Sequence, residues 1–187
     1  MKIVILASGT GTLLQSVIDN VDRSRVEIAA VGSDRQCEAL DRAERAGIEH
    51  FLVEYVPKQT DRDKWNEELA DKLASYQPDL VVSAGFMRII GPTVVERFEG
   101  KIINTHPALL PAFPGAHAVE DALDYGVRVT GSTVHVVDSG VDTGSIIAQK
   151  AVEVADGDTV DSLHERIKKV ERALLVEVLH DIAGTTD

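Results

Sequence analysis

A chain of 187 residues, 44% hydrophobic and 27% charged, is long enough to bury most of its apolar surface in one domain and has the composition of an ordinary globule. Its formal net charge of −12 argues against wrapping nucleic acid, which demands a basic footprint. A small anionic ligand is still compatible, because backbone N–H groups and one or two local cations suffice to hold it.

The first residues, MKIVILASG, pass from one lysine into five apolar residues, too few for a secretory signal, and nothing reads as a membrane span. Cys37 is the only cysteine, so neither a disulfide framework nor a cysteine zinc site is expected, and a cytoplasmic location is. Residues 3–7 form a continuous apolar run ended by SGTG, the pattern of a strand buried on both faces. Leu14, Val17, Ile18 and Val21 then recur at helical spacing. Residues 26–31 read as a second strand and 36–46 as a second helix closed by Gly47. Thr60 with Asp63 marks the start of a third helix, whose apolar stripe is Trp65, Leu69, Leu73 and Tyr76 and which Pro78 ends. DLVVSAG is the next strand, Pro92 stands in the first turn of a short helix, and 101–104 is a further strand.

That alternation predicts an α/β fold: a Rossmann-like, mostly parallel sheet with helices on both faces. The second half changes character. VRVTGSTVHVVD and IIAQKAVEV are β-rich runs joined by SGVDTGS, a connection too short for a helical crossover, so antiparallel strands are expected there. From Asp158 a last helix carries Val160, Leu163, Ile167, Val170, Leu174 and Val178 on one face. No repeat or linker interrupts the chain, so residues 1–187 are expected to form a single domain.

Three stretches carry candidate chemistry. SGTGTLLQ joins strand one to helix one, and Gly9 and Gly11 permit a tight turn that leaves N–H groups at a helix N-terminus, where a phosphate is favoured. Leu14 stands where a dinucleotide motif needs its third glycine and no GK[ST] follows, so a monophosphate is the expected guest; a plain βα turn is the alternative. Asp34, at the end of strand two, is read as a turn or cap residue.

INTHPALLPAFPG places Asn104 and His106 at the end of a parallel strand, where open α/β sheets bind ligands, and follows them with Pro107, Pro111 and Pro114. Proline fixes φ and removes a donor, so this stretch is expected to be neither helix nor paired strand but a rigid, preorganised loop. GVDTG sets Asp142 between two glycines in a tight β–β loop. Of the six histidines, His135 and His117 are further candidates for facing the site, while His164 and His180 read as surface or boundary residues. None shows metal-ligand spacing, so no metal is expected.

Together, NTHPALLPAFPG, GSTVHVVDSGVDTG and AGFMRI resemble the folate-dependent formyltransferases, and the likeness runs from SGTGTLLQ to VERALLVEV. The resemblance implies transfer of a formyl group from 10-formyltetrahydrofolate to the primary amine of glycinamide ribonucleotide, in purine biosynthesis. It implies Asn104, His106 and Asp142 as the catalytic trio and Gly9, Thr10, Gly11, Thr12 and Leu13 as the phosphate site. It further implies Glu171 at the sugar, and Met87, Arg88, Ile89 and Ile90 with Asn104 around the folate, with Arg62 nearby. The family's phosphate loop usually reads GSN where this chain has Gly11-Thr12-Leu13, and often has a histidine where Arg172 follows the glutamate.

In such chemistry Asn104 donates to a developing oxyanion, and His106 donates a second bond and manages protons. An adjacent Asp142 favours the imidazolium. A formyltransferase acting on a tRNA, a formyltetrahydrofolate hydrolase and a non-catalytic nucleotide-binding module are the rivals. The acidic charge speaks against the first, the glycine-rich phosphate turn against the second, and the complete trio against the third. A homodimer is compatible with the sequence, which carries no signal for oligomeric state.

Overall fold

The computed structural model describes residues 1–185. Seven strands form one sheet: β1 (Lys2–Leu6), β2 (Glu27–Ser33), β3 (His50–Leu52), β4 (Leu80–Ser83), β5 (Ile102–His106), β6 (Val129–Val136) and β7 (Ile146–Glu153). Six helices accompany them: α1 (Thr12–Asn20), α2 (Glu38–Arg45), α3 (Arg62–Ser75), α4 (Pro92–Arg97), α5 (Ala118–Tyr125) and α6 (Val160–Gly184). The strand order is β3-β2-β1-β4-β5-β6-β7. Pairs from β3 to β5 are parallel, while β5–β6 and β6–β7 are antiparallel. The expected mostly parallel α/β sheet with antiparallel strands added in the C-terminal half is the observed fold.

Period-2 alternation assigns the two faces. Ile3, Ile5, Val82 and Ile103 pack with Leu14, Val17, Leu40, Leu174 and Leu175, so α1, α2 and α6 cover one face. Val4, Leu6, Val81 and Ile102 point the other way, onto Trp65, Leu69, Leu73 and Val94 of α3 and α4. Leu163 and Ile167 of α6 extend the helix onto a smaller cluster with Val119 and Val152. The order of strands reverses between β1 and β4, and the crevice beyond their carboxyl ends is where such sheets bind ligands.

Several elements depart from expectation. β3, only three residues long, and α5, with its small residues Ala118 and Ala122, carry too little periodicity to be read from sequence. The cap of α3 is Asp61, whose side chain accepts from the N–H groups of Asp63 and Lys64; Thr60 instead accepts from Val56 N–H. Val160 is 40% exposed, because it begins α6 before the helix reaches the core. β5 runs on to His106, so Asn104 and His106 lie inside a paired strand, and the proline loop starts only after them.

Candidate active site

Asn104 and His106, two apart on β5, share one face of the sheet and line a pocket of about 300 Å³. Ile90 and Phe86–Ile89 form one wall, and Val137, Asp138 and residues 140–142 form the other. Register brings in a further histidine: Asn104 pairs across β6 with His135, which also lines the pocket and is 2% exposed. His135 thus stands on the pocket wall. His117 does not. It precedes α5, its side chain is 73% exposed, and its Nδ1 sits 3.3 Å from Glu120.

Asp142 reaches the pocket from the β6–β7 loop and sits between the two imidazoles. Its Oδ2 lies 3.4 Å from His106 Nδ1 and its Oδ1 lies 3.6 Å from His135 Nε2. Oδ2 also accepts the Gly115 N–H at 2.8 Å, tying the β6–β7 loop to the end of the proline loop. Asp142 has φ +55, a left-handed conformation that Asp tolerates better than most residues. The flanking glycines serve close approach, not positive φ. A Cβ on Gly144 would lie 1.8 Å from the Val136 carbonyl oxygen, and one on Gly140 would lie 2.0 Å from Thr143 Oγ1.

The tautomers follow from carbonyl partners, which only accept. His135 Nδ1–H donates to the Val136 carbonyl at 2.9 Å, so its Nε2 is free to accept the Asn104 amide at 3.4 Å. That contact orients Asn104 and leaves the second hydrogen of its Nδ2 unused by His135. His106 Nε2–H donates to the Phe113 carbonyl at 2.7 Å, so the nitrogen left for chemistry is Nδ1, beside Asp142. Any donation from His106 to an oxyanion therefore comes from Nδ1–H, a constraint that sequence could not supply.

The proline loop is fixed by more than its prolines. Leu110 N–H donates to Thr133 Oγ1, Thr133 Oγ1–H to the Ala108 carbonyl, and Gln149 Nε2 to the Leu110 carbonyl. β6 and β7 thus hold the loop that positions the Phe113 carbonyl for His106. The Leu110–Pro111 bond is cis, and Phe113 has φ +52.

At the switch point, Gly11 caps α1 with φ +69, and a Cβ there would come within 2.8 Å of Ala39 Cα. Gln15 N–H makes the first helical bond, to the Gly11 carbonyl, leaving the amides of Thr12, Leu13 and Leu14 outside the ladder. Arg42 of α2 steadies this turn, donating from Nε to the Thr10 carbonyl at 2.7 Å and from Nη1 to Gln15. Arg42 and Arg172 both line an open depression of about 320 Å³ beside Thr12, Gln15 and Ser16. The Nε of Arg172 is buried there with no hydrogen-bond partner.

Glu171 lies across the strand from the pocket. It hydrogen bonds Thr105, which separates Asn104 from His106 and points to the opposite face. Burial pushes its carboxyl above the ordinary range, against the opposing pull of Thr105, Arg172 and Lys168.

On the pocket wall, Met87 is 71% and Ile89 63% exposed, apolar side chains standing at the mouth as a flat apolar ligand requires. Arg62 holds that wall from outside, donating to the Ile89 carbonyl at 3.0 Å. Asp34, expected at a turn or cap, stands in the bend after β2 and is fully buried there, while Cys37 takes the N-cap position of α2. Its carboxylate accepts from Ser8, Arg35 and Arg88. Burial pushes its carboxyl up, but the hydrogen bonds from those three residues outweigh the cost and hold it below the usual range.

The same chain has relatives of known sequence and structure. A family profile described as formyl transferase matches residues 1–179. The chain is 52% identical over 183 residues to the phosphoribosylglycinamide formyltransferase of Mycobacterium tuberculosis, covering 97% of this chain and 85% of that protein. It is 37% identical to the Bacillus subtilis protein of the same name, covering 98% and 95% respectively. The crystal structure of glycinamide ribonucleotide transformylase 1 from Symbiobacterium toebii superposes with a TM-score of 0.92 at 40% identity, covering 99% of this chain and 88% of that one. With sequence and fold in agreement over nearly its whole length, the chain belongs to the formyl transferase family.

Proposed function

We propose that this protein transfers the formyl group of 10-formyltetrahydrofolate to the primary amine of glycinamide ribonucleotide, a step of purine biosynthesis. The observation that carries the reading is the meeting of Asn104, His106 and Asp142, from separate chain segments, on the wall of one pocket. The names of its relatives point to the same reaction.

The attacking amine must be neutral. Its bond to the formyl carbon makes that carbon tetrahedral, its oxygen anionic and the nitrogen cationic. Asn104, oriented by His135, offers an N–H to the oxygen, and one such preorganised donor lowers the barrier by about 3 kcal/mol. His106 Nδ1 is the group placed to hold the proton that leaves the attacking nitrogen and must reach the departing folate nitrogen. Asp142 supplies the countercharge while the imidazole is protonated.

The folate co-substrate belongs in the pocket walled by residues 86–90, whose exposed Met87 and Ile89 and half-buried Phe86 and Ile90 suit a flat heterocycle. Arg88 lines the same pocket, with Arg62 behind the wall. The substrate phosphate belongs on the turn at Gly9, Thr10, Gly11, Thr12 and Leu13, and the sugar beside Glu171. Because Glu171 and the trio flank the same strand end, an amine joined to that sugar reaches Asn104 and His106 from the side opposite the folate. Backbone amides, with Arg42 and Arg172 near them, take the place of the side-chain contact that Leu13 lacks.

The reading treats residues 1–187 as a single formyltransferase domain, supported by one continuous sheet from Lys2 to Glu153. It places the reaction in the cytoplasm, in keeping with the lone free Cys37. Among the described residues no helix is long and apolar enough to cross a membrane. Association into a homodimer is read by sedimentation equilibrium.

The testing experiment follows tetrahydrofolate release with and without glycinamide ribonucleotide. Release that requires the amine supports transfer. Equal release without it, with formate accumulating, identifies a hydrolase.

A further inference from the structure

Asp34 is the only acidic side chain among the described residues that is fully buried, yet it lines neither the catalytic pocket nor the depression beside α1. Its contacts reach three pieces of the site. Oδ1 accepts from Ser8 Oγ at 2.5 Å, and Ser8 Oγ in turn accepts the Met87 N–H at 2.8 Å. Oδ2 accepts from Arg88 Nε at 2.8 Å and from Arg35 Nη2 at 2.9 Å. The Asp34 carbonyl takes the Tyr55 N–H at 2.9 Å, placing that ring 4.8 Å beneath the Arg88 guanidinium.

Residues 87 and 88 of the pocket wall therefore hang on one carboxylate, the first through Ser8 and the second directly. Ser8 is also the residue before the Gly9 turn. We propose that Asp34 is a positioning residue: its buried carboxylate fixes Met87 and Arg88 against the end of β1 and thereby sets the affinity for the folate co-substrate. The proposal rests on the reading of residues 86–90 as the folate wall.

Charge is essential to the arrangement. Two guanidinium groups converge on Oδ2, and an amide oxygen accepts such bonds without compensating either cation. Arg88, whose side chain is 23% exposed, then has no reason to stay against Tyr55 in preference to solvent. The wall loses its anchored side chain while β5, the β6–β7 loop and the trio keep all their contacts. The consequence is selective: folate binding weakens, and chemistry and glycinamide ribonucleotide binding do not.

The test compares wild type, Asp34→Asn and Ser8→Ala by steady-state kinetics in each substrate. Asp34→Asn is expected to raise KM for 10-formyltetrahydrofolate about tenfold, the size of one charge-assisted hydrogen bond. Both kcat and KM for glycinamide ribonucleotide are expected to stay within about threefold, or about 0.65 kcal/mol. Ser8→Ala, which removes only the bridge to Met87, is expected to raise the same KM by a smaller factor.

A folate KM within about twofold of wild type in Asp34→Asn overturns the proposal. So does a fall in kcat with both KM values unchanged, or an equal rise in both, since a purely structural role gives those patterns. If Asp34→Asn fails to fold, Ser8→Ala decides, and an unchanged folate KM in it overturns the proposal. Absence of transfer by wild type would instead sink the functional reading, a separate result.

Discussion

Asp142→Asn isolates the charge of the trio with little disturbance of its shape. The amide oxygen keeps the Gly115 N–H, and the new NH₂ faces His135 Nε2, which is already an acceptor. The loop is therefore expected to stay folded. What is lost is the attraction between a carboxylate and a protonated His106 at 3.4 Å, worth about 5 kcal/mol at an effective dielectric constant of about 20. The Asn dipole and local water recover part of this, leaving a loss of about 3 kcal/mol in any transition state that carries the imidazolium, or about a hundredfold in kcat. Steady-state turnover at saturating levels of both substrates reads it, with melting temperature as the control for folding. A folded variant with kcat within about threefold of wild type would refute the reasoning, because the imidazolium–carboxylate pair would then contribute less than about 1 kcal/mol.

Asn104→Ala removes the donor aimed at the oxyanion and is expected to cut kcat by about 10²–10³ with little change in either KM; His106→Ala should resemble it, and near-wild-type turnover removes that residue from the trio. Arg42→Gln strips the Thr10 carbonyl of its donor and removes a cation beside the phosphate turn, so KM for glycinamide ribonucleotide should rise by about tenfold or more while folate KM and kcat hold. Glu171→Gln acts on stability as well as binding. Because burial raises its folded pKa above the ordinary 4.5, the wild type loses stability as pH climbs from about 4.5 through the folded value. The glutamine variant should escape that loss, melting higher than wild type at pH 7 yet binding glycinamide ribonucleotide more weakly; a lower melting temperature at pH 7 contradicts the sign.

The elements visible in the sequence were those whose apolar spacing is set by the sheet itself. Ile3, Val4, Ile5 and Leu6 are buried on both faces and read as a continuous run, and Leu14 and Val17 face the same core at helical spacing. β3 and α5 were not visible because three residues, or eight with two alanines on the inner side, carry too weak a pattern. At the site, Asn104, His106 and Asp142 were legible because glycines, prolines and a resemblance mark them. For His135 the sequence allows an interior or a site-facing side chain, and only the β5–β6 register, which sets it opposite Asn104, decides between them. His117 stands outside the pocket, and nothing local in the sequence distinguishes an exposed loop histidine from one that faces a pocket. The burial of Asp34 is illegible for a related reason: it is created by Ser8, Arg35 and Arg88, two of them far away in the chain. An acid directly after a buried strand, with arginines available, was the only available signal.

A crystal structure with glycinamide ribonucleotide and a folate analogue that cannot transfer its carbon tests most directly whether Asn104, His106 and Asp142 surround the reacting centre. The expected result has the oxygen that mimics the formyl group about 2.7–3.1 Å from Asn104 Nδ2, with the amine within reach of His106 Nδ1. An analogue seated elsewhere, with no ligand atom touching any of the three side chains, would contradict it.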